Sequence, residues 1–285
     1  MAQRISRRSL FLIALMALVL LSVVILLHLS KTRELHGLLV DLEYGEPHPQ
    51  RHAELSDGVT QHLRKEISSA RNLHVVLDYI HFTEFTKDAV SSLDPDFLIL
   101  SPQSTPWHAY REEAGSLEVA EETLRALVLD KNMPVLGICG GHQFMALAFG
   151  GTVDFIDPGF AGIPQDRYPK IGLAEKGVVE LQTLRDDPIL EGVAAHPGTF
   201  QVIESHHEEI KLIPPTFTNI ARSKLSEIQL MRIPGKIVYG TAFHPERPKV
   251  HGMNDSKLLD GRRILANFLT MVPVRGQSPR TPRVR

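Results

Sequence analysis

The chain has 285 residues, 43% hydrophobic and 22% charged, a globular composition that excludes a disordered, collagen-like or coiled-coil protein. Its net charge of −2 conceals an asymmetry: Arg4, Arg7 and Arg8 sit at one end and Arg275, Arg280, Arg283 and Arg285 at the other, so that setting these seven aside leaves a body near −9. An acidic body without a basic stripe excludes nucleic acid as the main partner, because phosphate binding needs clustered Lys and Arg, and a single cysteine, Cys139, excludes an internal disulfide.

Residues 1–8 form a basic segment and residues 9–30 an apolar one. Leu10 to Leu29 is almost unbroken Leu, Ile, Val, Ala, Met and Phe, interrupted by Ser22 and His28, which is about the 20 residues a bilayer-spanning helix needs. Three arginines precede it, whereas Lys31, Arg33 and Glu34 follow. The positive-inside bias therefore predicts a single-pass transmembrane or signal-anchor helix with a cytoplasmic N-terminus and the rest of the chain extracytoplasmic. Ser6-Arg7-Arg8-Ser9-Leu10-Phe11 also looks like a twin-arginine export signal, but no Ala-x-Ala cleavage site follows, which favours a retained anchor.

Beyond the anchor, residues 36–272 alternate buried-strand runs with helical patterns and read as one α/β domain, an open, mostly parallel sheet flanked by helices. Candidate strands are Leu38 to Leu42, Leu73 to Tyr79, Phe97 to Leu100 and Val135 to Ile138. Helical periodicity marks Asp57 to Ala70, through Val59, Leu63 and Ile67, and Leu117 to Leu129, through Leu124, Leu127 and Val128. The second half reads as strands around Val178 to Leu181, Ile228 to Arg232 and Ile237 to Ala242, with a closing helix from about Ser256 to Met271. Residues 273–285, rich in Pro and Arg, read as a disordered tail.

The most informative stretch runs from Pro134 to Gly151. An apolar strand leads into Cys139, flanked two residues away on each side by Gly137 and Gly141, and a helical run follows. Small residues at those positions are what a tight strand-to-helix turn with an exposed nucleophile needs. Such a turn stands the thiol at the carboxyl edge of the sheet, at a helix N-terminus that favours negative charge, with the Gly140 N–H available to a developing oxyanion.

A second motif, Thr241-Ala-Phe-His244-Pro-Glu246, follows a strand. Extended geometry puts residues two apart on one side, so Glu246 can accept from one His244 nitrogen and leave the other to serve the thiol. Cys139, His244 and Glu246 thus form a nucleophile, base and orienter set. No cofactor or metal is expected: His206 with His207, and His48 with His52, lack acidic or thiol ligands at a fixed spacing.

Taken together, these motifs resemble those of class I, triad-type glutamine amidotransferases. Gly137-Ile-Cys139-Gly-Gly-His-Gln143 is similar to the family's Gly-Ile-Cys-x-Gly-x-Gln elbow, and Tyr239-Gly-Thr-Ala-Phe-His-Pro-Glu246 to its Tyr-Gly-x-x-Phe-His-Pro-Glu segment. Ser205-His-His-Glu208 resembles the Ser-His-Gly-Asp stretch of GMP synthetase-type members, and Phe97 to Ser101 the strand entering the oxyanion loop. The resemblance implies a flavodoxin-like sheet and a small-molecule γ-glutamyl substrate whose amino and carboxylate ends are held by Gln143 and by the backbone of Ser205, His206 and His207. One departure stands out: where the family has Ser-Gly-Gly-Pro, this chain has Ser101-Pro102-Gln103-Ser104. Pro102 has no N–H, so Gln103 is left to pair with Gly140 as oxyanion donor.

The favoured expectation is hydrolysis of glutamine or another γ-glutamyl amide through a Cys139 thioester, by a free-standing glutaminase or γ-glutamyl hydrolase, since an extracytoplasmic domain has no ATP beside it. Two alternatives stand: a membrane-tethered binding or regulatory module with little or no turnover, and a glutaminase subunit that supplies ammonia to a separate synthetase.

Overall fold

The computed structural model describes residues 16, 33–45, 73–157, 173–193, 198–247 and 259–273. Among them, five strands run parallel in the order β2 (Leu73–His81), β1 (Arg33–Asp41), β3 (Phe97–Leu100), β4 (Val135–Ile138) and β11 (Val238–Thr241). The sheet continues antiparallel through β10 (Leu230–Arg232), β9 (Thr218–Arg222), β6 (Glu175–Thr183) and β7 (Thr199–His206). A separate two-stranded ribbon pairs β5 (Thr152–Phe155) with β8 (Glu208–Leu212). The expected open α/β sheet with flanking helices is present, its parallel half extended by an antiparallel half.

β1, β3 and β4 lie inside the sheet because both of their faces are apolar, as a strand covered on both sides requires. Their period of two divides the core into two layers. Leu38, Val40, Leu98 and Leu100 pack with Leu124, Leu127 and Val128 of α2 (Ala114–Asp130) and with Phe144 and Met145 of α3 (Gly140–Ala148). Leu35, Leu39, Phe97, Ile99, Leu136 and Ile138 pack on the other face with Ile264, Leu265, Phe268 and Leu269 of α4 (Leu259–Met271). Because β3, β4 and β11 are parallel, the loops leaving them meet at one edge.

Phe97–Leu100 and Val135–Ile138 form strands with the expected bounds, whereas β1 and β2 extend past theirs, from Arg33 and to His81. A short helix, α1 (Lys87–Leu93), has no strong apolar periodicity and is set by its ends: Thr86 Oγ1 accepts from the Ala89 N–H at 3.2 Å, and Asp94 closes it at a φ of 47°. The helix expected over Asp57 to Ala70 and the tail beyond Pro273 lie outside the described residues, as does the apolar segment 9–30 apart from Met16. Among the described residues no helix is long and apolar enough to cross a membrane.

Two glycines let α3 lie directly on the sheet. A Cβ at Gly137 would approach Gly141 O to 2.5 Å and Met145 Sδ to 2.6 Å. One at Gly141 would approach Leu100 Cβ to 2.7 Å and run into the Leu100 carbonyl oxygen. Backbone cannot yield as a side chain does, so Gly141→Ala should destabilise by about 1–3 kcal/mol or more, read as a lowered urea midpoint with an unchanged m-value.

Candidate active site

β4 ends at Ile138 and α3 begins at Gly140, leaving Cys139 alone to reverse the chain, with φ 50° and ψ −102°. A non-glycine residue in this region is strained by about 1–3 kcal/mol and persists only where its surroundings over-determine it. Here the Cys139 N–H donates to Thr241 O at 2.7 Å, and Cys139 O accepts from the Gln143 N–H at 3.1 Å. Both neighbours of the turn therefore hold the thiol at the sheet edge, almost fully buried.

The loop after β11 brings His244 to it. Its N–H donates to Ile203 O at 2.8 Å, and its Nδ1 lies 2.7 Å from Glu246 Oε1, which can only accept. Nδ1 thus carries the hydrogen, and Nε2, buried without a hydrogen-bond partner among the described residues, is the nitrogen left to serve the neighbouring Cys139. Burial opposes charge on the ring, but Glu246 and then the Cys139 sulfur outweigh it and push His244 up to about 10. Burial also works against ionisation of Glu246, yet the His244 charge prevails and holds its carboxyl below the ordinary glutamate value. At neutral pH His244 carries a proton and Glu246 a charge.

The loop after β3 lies across the start of α3. A Cβ on Gly140 would come within 2.8 Å of Gln103 N, so the two backbones touch at Gly140, where glycine makes the approach possible. Pro102 withholds an amide, but the loop is firmly held. The Leu42 N–H donates to Ser101 Oγ at 2.9 Å, and the Glu43 carboxylate accepts from the Ser104 N–H at 3.0 Å, the Ser104 hydroxyl at 2.8 Å and the Thr105 hydroxyl at 3.1 Å. Sequence reasoning missed Glu43, whose partners lie about 60 positions away.

Gln143 is buried, and both ends of its amide are engaged: Oε1 accepts from Trp107 Nε1 at 2.8 Å, and Nε2 donates to Glu208 O at 2.7 Å. Trp107 in turn stacks on Phe144, with ring centroids 5.9 Å apart and planes at 19°. Gln143 therefore ties the oxyanion-loop segment to the turn between β7 and β8. Gln143→Leu should cost about 1–3 kcal/mol for each of the two buried partners it abandons, measured as a loss of unfolding free energy.

The side chains of Ser205, His206 and His207, whose backbone is expected to hold substrate, are placed differently. Ser205 is half-buried, His206 is buried and His207 is exposed on the turn after β7. Only the His206 ring turns inward, toward Cys139. Burial lowers His206, but the carboxylates of Glu175 and Glu204 more than offset it and hold the ring well above the usual histidine value. Burial raises Glu208 to about 8, only partly opposed by the Trp107 N–H.

Comparison with known proteins gives this geometry a family. A family model described as glutamine amidotransferase class-I matches residues 53–264. A glutamine-hydrolyzing GMP synthase subunit of Methanosarcina barkeri is 34% identical over 203 residues, spanning 68% of this chain and 93% of that protein. The same subunit from Methanosarcina mazei is 37% identical over 202 residues, with the same coverage of 68% and 93%. Among solved structures, a GMP synthase subunit-type protein from Thermoplasma acidophilum shares the fold at a TM-score of 0.53 and 23% identity, over 83% of this chain and 93% of its own. A glutamine amidotransferase from Thermotoga maritima does so at 0.50 and 22% identity, over 74% and 76%. With the family model covering most of the chain and relatives above 30% identity spanning more than two thirds of it, the chain belongs to the class-I glutamine amidotransferase family.

Proposed function

We propose that the chain hydrolyses the side-chain amide of glutamine, with Cys139 as nucleophile, His244 as acid and base, and Glu246 as orienter. The observation that carries this reading is the strained Cys139 turn facing a His244 ring whose other nitrogen is held by Glu246 at 2.7 Å. Cys139 passes its thiol proton to His244 Nε2 and the sulfur attacks the amide carbon, and the oxygen that becomes negative is met by the Gly140 and Gln103 N–H groups. His244, protonated at neutral pH, delivers its Nε2 proton to the departing nitrogen, which leaves as ammonia. The same nitrogen, now neutral, takes a proton from water as it attacks the thioester, and glutamate leaves with the sulfur restored. The Ser205–His207 backbone is the proposed contact for the amino-acid end of the substrate, whereas Gln143, expected from sequence to share that role, has its amide taken up by Trp107 and Glu208 and braces the segments around the site.

The ammonia, in this proposal, goes to a separate ATP-dependent synthetase. Support comes from the two Methanosarcina relatives, each named as one subunit of a glutamine-hydrolysing GMP synthase and covered over 93% of its length. This weighs against the free-standing hydrolase favoured on sequence grounds, which retains one argument, the apolar segment 9–30 with arginines before it. The orientation of that segment separates the two. A reporter fused after Arg285 that reads cytoplasmic goes with a synthetase partner, and hydrolysis by the purified chain should then rise about tenfold or more when an ATP-dependent synthetase is added together with its nucleotide substrate. A reporter that reads extracytoplasmic, with full ammonia release from glutamine by the chain alone, overturns the subunit reading.

A further inference from the structure

β6 and β7 are antiparallel, with Glu175 directly opposite His206. Glu204 precedes His206 by two residues on β7, so both project to the same face of the sheet. The three side chains are almost completely buried, and their ligand-capable atoms all lie within 4.8 Å of one another. The proposed hydrolysis uses neither Glu175 nor Glu204.

Hydrogen bonding leaves this group incomplete. His206 Nδ1 lies 2.9 Å from Glu208 O, a carbonyl that only accepts, so Nδ1 carries the hydrogen. In the neutral ring Nε2 then presents a lone pair to Glu204 Oε2 at 3.2 Å and Glu175 Oε2 at 3.3 Å. That contact is repulsive unless a cation stands among the three. A proton on Nε2 makes ion pairs with both carboxylates, which is what raises the ring, yet it leaves Nε2 and both Glu204 oxygens buried without an aligned hydrogen bond among the described residues. A metal ion needs no alignment with an N–H axis. Bonds of about 2.0–2.1 Å around a tetrahedral Zn²⁺ place neighbouring ligand atoms about 3.3–3.4 Å apart, close to the two separations from His206 Nε2. An imidazole that donates its other N–H to a carbonyl has the orientation typical of a metal ligand. Gln229 Nε2 donates to Glu175 Oε2 and fixes that carboxylate in turn.

We infer that Glu175, Glu204 and His206 form a binding site for a divalent first-row transition cation of the Zn²⁺ or Co²⁺ type, separate from Cys139 and His244. Two carboxylates and one neutral imidazole balance a divalent charge and leave a fourth position open. The site adjoins the hydrolytic one, because Ile203, next to Glu204, accepts the His244 N–H at 2.8 Å. An ion held there neutralises two buried acids beside the nucleophile.

The test uses the full chain carrying Cys139→Ser, which removes the thiol as a competing ligand, stripped with a chelator and titrated with Co²⁺ and then Zn²⁺. Equilibrium dialysis should give one equivalent of Co²⁺ per chain, displaced by Zn²⁺. Glu204→Gln and Glu175→Gln in that background, checked for folding by circular dichroism, should each weaken binding about tenfold or more. X-ray absorption on the Co²⁺-loaded chain, which needs no further variant, should show one imidazole with oxygen ligands. Absence of bound metal, full affinity in either folded variant, or two or more imidazoles on the ion would overturn the site.

Discussion

Cys139→Ser should lower glutamine hydrolysis by roughly 10⁴-fold or more while the chain stays folded, because it removes the thiol that forms the acyl intermediate. The turn that presents the thiol supplies a second readout. At φ 50° and ψ −102° a side chain of any kind is strained, and glycine is not. Cys139→Gly should therefore be more stable than Cys139→Ala, although it is the smaller side chain and frees the unfolded chain further. Both should be inactive. The reverse order of stability would mean that the turn relaxes when the cysteine is replaced, and with it the argument that the fold holds the thiol under strain for reaction.

His244→Ala should be nearly as damaging as loss of the thiol, whereas Glu246→Gln should be milder by about one to two orders of magnitude, since it disturbs ring orientation and charge without removing the base. The pH profile distinguishes orientation from bulk effects. Glu246 is the first of the groups that raise His244 against burial, so its loss lets the ring release its proton at lower pH, and the alkaline limb of kcat/KM should move down from the region of about 10. Stability follows the same sign. A histidine raised from 6.5 to about 10 contributes stability that is complete below 6.5 and disappears as pH climbs through the folded value. Wild type should thus lose unfolding free energy between those limits, and His244→Ala should lose less over the same window. An alkaline limb unmoved by Glu246→Gln would separate His244 from the observed titration.

The parts of this arrangement that could be read from the chain are those where one short segment contains its own constraint. Gly137, Cys139 and Gly141 specify the turn because each glycine answers to a contact within the β4–α3 unit or with the adjacent strand. His244 and Glu246 are two apart on an extended segment and meet for that reason. The short parallel strands Phe97–Leu100 and Val135–Ile138 are continuous apolar runs, so their bounds coincide with their composition. What strand register assembles is harder to see. Glu204 stands two residues from His206 in the chain, but Glu175 joins them only through β6–β7 pairing, so an acidic pair around the ring cannot be recognised from spacing. In β7 the alternation is brief, Gln201 being exposed between buried Phe200 and Val202 before three consecutive buried residues, Val202 to Glu204, break the period of two. The engagement of Gln143 by Trp107 and Glu208 depends on a loop crossing 36 positions away and a turn 65 positions away, neither of which periodicity reports.

The most direct test of the account is to quench the full chain in acid during turnover of glutamine and map the digest by mass spectrometry, with ammonia and glutamate measured in parallel. A γ-glutamyl adduct on the Cys139 peptide, absent from Cys139→Ser, together with equal release of ammonia and glutamate, is the expected result. Glutamine turnover that persists in Cys139→Ser, with no adduct on that peptide in either protein, would contradict it.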